Sequence, residues 1–145
     1  MNRFDVSIRG SAIVGKTLAM SLARAGLSVA LSAPDAASAH AAKDDVRAYA
    51  LSAKSVALLQ QLKVWDALPA HCATPVYDMR IEGDGEQRGA LEFSAWEQGA
   101  SELTWIVDAA ALERELAQVL RYQPHVTVVE KDVQAELVAI CEGRF

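Results

Sequence analysis

The stretch from Asp5 to Ala33 constrains this chain more than any other, because it reads as strand, glycine turn, helix, glycine and strand within a single βαβ unit. Val6 to Arg9 is short, apolar and closed by Gly10, the pattern of a buried parallel strand. A helix is predicted over Lys16–Ala25, with Leu18 and Leu22 on one face and Ala19 and Ala23 small enough for close packing on a sheet. Gly26 falls where a left-handed C-cap belongs, and Ser28 to Ser32 supplies the second strand. The class is therefore α/β, the first half of a doubly wound sheet.

The turn itself, Gly10-Ser11-Ala12-Ile13-Val14-Gly15-Lys16-Thr17, parses in two incompatible ways. As G-x-A-x-x-G it is the pyrophosphate turn of a dinucleotide-binding unit; as G-x-x-x-x-G-K-T it is a complete P-loop for a nucleoside triphosphate. A P-loop wraps phosphate in successive backbone N–H groups, and the β-branched Ile13 and Val14 suit such a nest poorly. In the dinucleotide parse they lie in the first helical turn, and only positions 10, 12 and 15 must be small. One later feature favours the P-loop: Leu103 to Asp108 resembles an apolar strand ending in a magnesium-binding aspartate. The plainer reading makes Asp108 the N-cap of a helix opening at Ala109.

Ala33 to Asp45 has no periodicity and reads as a surface loop. A dinucleotide site commonly places an acid at the end of the second strand for the ribose hydroxyls, but Ser32 and Ala33 stand there and Asp35 comes late. Beyond it lie Asp45-x-Arg47-Ala48-x-Ala50-Leu51-Ser52 with Ser55, a helix over Ala53–Leu62, and Leu62-x-Val64-Trp65-Asp66-Ala67-Leu68. Together with the glycine turn, these segments resemble the N-terminal part of the FAD-dependent aromatic hydroxylases, nearest the branch acting on polyprenylated phenols in ubiquinone biosynthesis. Trp105 to Leu120 matches that family weakly, and Leu137 to Arg144 resembles its strand leading into a second, Asp-Gly fingerprint, with Glu142 replacing the aspartate.

The resemblance implies a Rossmann-like FAD-binding βαβ sheet domain with part of a substrate-side β-sheet. It divides the chain into a nucleotide-binding part (1–70 and 103–145) and a partial substrate-side segment (71–102). Carried across, Gly10, Ser11, Ala12, Ile13, Val14 and Gly15 hold the FAD pyrophosphate, Arg47 reaches the flavin's phosphate or ribityl region, and Glu142 and Gly143 form the second fingerprint. NAD(P)H is the family's electron donor and a phenol its substrate. This chain departs from the pattern at Arg9, Ser11, Ala12, Ile13, Ala33 and Ala110, each change weakening a cofactor contact, and it ends at Phe145, inside the second fingerprint. A truncated site is the expectation, with no catalytic residue assigned.

Val76–Glu82 and Ala90–Phe93 read as strands around Gly83-Asp84-Gly85, while Val126–Val129 and Leu137–Ile140 read as further strands of the nucleotide-binding sheet. Tyr77, Phe93, Trp96 and Trp105 either line an aromatic pocket or, more in keeping with composition, pack on the sheet. Substrate-side strands without partners leave exposed edges that invite a homodimer. A net charge of -5 offers no basic face for nucleic acid. Cys72 and Cys141, far apart and without ligand spacing to His40, His71 or His125, suit reduced thiols in the cytoplasm and argue against a metal site. No window has the uninterrupted apolar length of a membrane span, which leaves peripheral membrane contact open. A P-loop protein and a non-catalytic scaffold of the same fold stand as the competing readings.

Overall fold

The computed structural model describes residues 4–33, 46–85, 89–131 and 133–143. Four strands, β1 (Phe4–Arg9), β2 (Val29–Ser32), β8 (Val126–Val129) and β9 (Ala135–Ile140), form a parallel sheet in the order β8-β2-β1-β9. Val6 stands opposite Val29 and Leu137, and Ile8 opposite Leu31 and Ala139, so two rows of aliphatic side chains cross the sheet. β1 and β2 are the interior strands of that sheet, and the centres of both are buried.

Helix α1 (Ile13–Arg24) connects β1 to β2 and begins three residues earlier than its periodicity predicts, with Ile13 and Val14 in its first turn as the dinucleotide parse requires. Its closest face to the sheet is the row Gly15, Ala19, Ala23, all buried, while Leu18 and Leu22 flank the cluster of Val6, Ile8, Val29 and Leu31. The helix ends as predicted at Gly26, whose φ is +88°. The Gly26 N–H donates to Ala23 and that of Leu27 to Leu22, the paired bonds of a Schellman motif.

Met20 points the other way, into a second core with Leu59, Leu62, Val64, Val107, Leu112 and Leu116. That core sits beneath an antiparallel sheet, β3 (Ala48–Leu51), β7 (Thr104–Asp108) and β4 (Ala73–Val76), ordered β3-β7-β4, with helices α2 (Ala53–Gln61) and α3 (Ala109–Leu120). α1 is thus the wall between two cores, and Leu120 of α3 packs against both. α2 closes with the same capping bonds as α1, yet its left-handed residue is Lys63, at φ +62°.

The single strand expected over Val76–Glu82 is two. Val76 still accepts from Leu103 beside β7, whereas the Tyr77 carbonyl accepts from Ala95, so the chain changes partners at Tyr77. The following β5 (Asp78–Glu82) pairs with β6 (Ala90–Ser94) in the expected hairpin. The four aromatic residues make no common pocket. Trp105 meets Trp65 edge-on at 5.2 Å between centroids, and Phe93 and Tyr77 are exposed. Trp96, 91% exposed, does not pack on the sheet either.

Candidate nucleotide-binding site

The glycine turn is built by two close approaches that only hydrogen side chains permit. Gly10 has φ +100°, and a Cβ there would lie 2.3 Å from the Cys141 carbonyl oxygen and 2.9 Å from the Glu142 nitrogen. A Cβ on Gly15 would fall 1.8 Å from the Gly10 carbonyl oxygen, so the first turn of α1 folds directly onto the end of β1. Ala12 is the N-cap, with extended backbone, and its carbonyl accepts the first helical bond from Lys16 at 3.0 Å. It supplies no capping side chain, and no acidic residue occupies the first turn. Such a helix start keeps its N–H groups and positive dipole end available for an anion. Ala12 and Val14 are exposed, leaving that approach open.

The residues completing the P-loop pattern are engaged elsewhere. Lys16 Nζ pairs with Glu113 Oε2 of α3 at 2.5 Å, and Thr17 Oγ1 donates to the Ile13 carbonyl at 2.7 Å. Asp108, proposed above as a magnesium ligand or a cap, is the cap: its Oδ1 accepts from the Ala111 N–H at 2.7 Å. Its strand, β7, runs in the antiparallel sheet and not beside β1. Lysine, threonine and aspartate therefore do not converge as triphosphate chemistry requires.

The end of β9 lies against the glycine turn. The Cys141 N–H donates to the Arg9 carbonyl at 2.7 Å, which brings the Glu142 backbone beside Gly10; Gly143 follows at φ +76°. The chain leaves β1 through β2 towards β8 and returns to β9 on the other side of β1. The strand order reverses between these two strands, where open α/β sheets bind ligands.

Other assigned residues are not gathered there in the same way. Ser32 is buried, and the Ala33 N–H donates to the Val129 carbonyl, so the end of β2 presents no carboxylate from these two positions; Asp35 and the rest of that loop lie outside the described residues. Arg47 is exposed at the start of the antiparallel sheet, its guanidinium carbon 5.9 Å from the Tyr49 ring centroid and its carbonyl accepting from Ala109 at the start of α3. Its connection to the glycine turn runs through α3. Two contacts escaped the sequence reading because their partners are set by tertiary packing. They are the Lys16–Glu113 pair and the Asp5 carboxylate, which accepts from the Ser28 N–H and hydroxyl, both at 2.7 Å. Those Ser28 bonds hold the Asp5 carboxyl below its ordinary 3.8.

Comparison with known proteins bears on the fold. No family model matches the chain. Over 126 residues, 86% of its length, it is 34% identical to 3-demethoxyubiquinol 3-hydroxylase of Escherichia coli (strain K12), and the match covers 32% of that relative. Among solved structures, p-nitrophenol 4-monooxygenase from Pseudomonas putida DLL-E4 superposes with a TM-score of 0.65 at 16% identity, over 97% of this chain and 40% of that one. PqsL, a probable FAD-dependent monooxygenase from Pseudomonas aeruginosa, gives 0.65 at 17% identity over 93% and 33%. The chain is thus similar in sequence to a ubiquinol hydroxylase and shares the fold of FAD-dependent monooxygenases, and it spans about a third of the length of the relative it matches.

Proposed function

We propose that this chain is the FAD-binding portion of a flavin-dependent hydroxylase whose substrate is a phenolic ring of the ubiquinone-precursor type. The observation that carries the reading is the meeting of Gly10 and Gly15 with the Cys141–Glu142 backbone and the Cys141 side chain where the parallel strand order reverses. Backbone N–H groups from Gly10 to Gly15 take the pyrophosphate, with Ser11, Ala12, Ile13 and Val14 shaping the turn. Arg47 offers a planar fork of donors for a phosphate or ribityl oxygen. Glu142 and Gly143 close the site from β9. The residues described here would bind and orient FAD, which with NAD(P)H as electron donor would supply the oxygen-transfer chemistry. The end of β2 fits less well, since Ser32 and Ala33 offer nothing acidic to a ribose, which predicts weak affinity. The name of the hydroxylase it matches motivates the substrate class. None of the described helices is long and apolar enough to cross a membrane, and a cytoplasmic protein touching the membrane at its surface suits such a substrate.

Titration with FAD, ADP and ATP–magnesium, followed by flavin fluorescence and thermal shift, tests this reading. FAD binds and Arg47→Ala weakens it. Tight ATP–magnesium binding abolished by Lys16→Ala would overturn it.

A second reading has its own observation. β9 is an edge strand with Leu137, Val138 and Ile140 exposed by 67%, 53% and 70% on its two faces, a surface suited to pairing with a second copy in a non-catalytic scaffold. Light scattering across a concentration series separates the two: a concentration-dependent dimer without FAD affinity favours the scaffold.

A further inference from the structure

We propose that Lys16 and Glu113 are a positioning pair that fixes the glycine turn relative to the Arg47 segment; this rests on the flavin-binding reading above. The two parts of that site belong to different sheets, the turn to the parallel sheet through β1 and Arg47 to the antiparallel sheet through β3. α3 joins them. At its start, the Ala109 N–H donates to the Arg47 carbonyl at 3.0 Å, and its cap residue Asp108 is paired in register with Ala48. One turn further along, Glu113 reaches back to Lys16 of α1. Lys16 directly follows Gly15, whose own backbone lies against the Gly10 carbonyl. An unbroken set of contacts therefore runs from Gly10 through Gly15, Lys16, Glu113 and the first turn of α3 to Arg47.

The chemistry of the pair suits positioning more than adhesion. Met20, Leu112 and Leu116 already bury the α1–α3 contact, and such packing tolerates small slides. A lysine and a glutamate whose side chains are only 16% and 18% exposed are largely withdrawn from water. Removing either charge leaves the other poorly compensated, so the pair selects the one helix register in which the two meet.

The test is a double-mutant cycle read by FAD affinity, with thermal unfolding recorded on every variant. It uses Lys16→Met, Glu113→Gln and the swap Lys16→Glu with Glu113→Lys, each with and without Arg47→Ala. Glu113→Gln weakens FAD binding about tenfold, and the swap restores it to within roughly threefold of wild type. Once Glu113 is neutralised, Arg47→Ala costs little more, so the two losses do not multiply. If the swapped chain unfolds, Lys16→Arg, which keeps the charge, serves as the rescue and retains affinity. Glu113→Gln lowering the melting temperature with FAD affinity unchanged, or losses that multiply with Arg47→Ala, would overturn the positioning role alone. Wild-type chain that takes up no FAD would overturn the flavin reading and this role with it.

Discussion

At Gly15 a single methyl group decides whether the turn can form, because the nearest atom to its missing Cβ is backbone, the Gly10 carbonyl oxygen at 1.8 Å. Gly15→Ala is expected to destabilise the chain by about 3 kcal/mol in urea unfolding, as overpacking against an immovable neighbour does. Lys63 is the opposite case: a lysine in the left-handed cap of α2, where glycine carries no Cβ penalty. Lys63→Gly should raise stability by roughly 0.5–1 kcal/mol in the same assay. Asp5 sets a pH dependence. Its folded-state pKa lies below 3.8, so its contribution is complete above the unfolded value and is lost as pH falls through the folded one. Acid unfolding monitored below about pH 4 should therefore be less steep in Asp5→Asn than in wild type. The glycines were legible in the sequence since their spacing follows from local backbone geometry. The partners of Lys16 and Asp5 were not, as nothing local to Lys16 indicates a glutamate 97 residues away.

Among the elements, β7 shows how a motif can mislead until its neighbours are known. Leu103 to Asp108 has the composition of a magnesium-binding strand, but β7 lies between β3 and β4, and its terminal carboxylate is spent on the Ala111 N–H. Asp108→Ala should cost about 1 kcal/mol of stability through loss of the cap, with no change in any response to magnesium; melting curves with and without the ion check both points. The βαβ unit, the C-cap at Gly26 and the β5–β6 hairpin were readable because each is fixed by local periodicity and turn chemistry. The start of α1 was readable from the dinucleotide parse and not from periodicity, and the break at Tyr77 was not readable at all. The first depends on the turn folding back onto β1, and the second on a change of hydrogen-bonding partner from β7 to β6. Pro75 sits on edge strand β4, where its missing N–H costs the sheet least, a placement that reads sensibly only once the strand order is known.

For the whole molecule, order within the parallel sheet was the decisive fact that the sequence withheld. Candidate strands at Val126–Val129 and Leu137–Ile140 were apparent, but their placement on opposite sides of the β1–β2 pair, which creates the reversal point, is a tertiary outcome. That placement brings Glu142 to Gly10 across more than a hundred residues and gives the glycine turn its second wall. Among the described residues, β9 and the faces of β5 and β6, with Met79, Ile81, Leu91 and Phe93, are exposed. The central claim, that the turn and the end of β9 form one flavin-nucleotide site, is tested most directly by following backbone amide resonances of the labelled chain during titration with FAD. The account predicts saturable shifts at Gly10, Ser11, Ala12, Gly15 and Gly143, with Gly83 and Gly85 of the hairpin unmoved. Amides of the turn that stay fixed under FAD, or that respond to ATP–magnesium in its place, would contradict it.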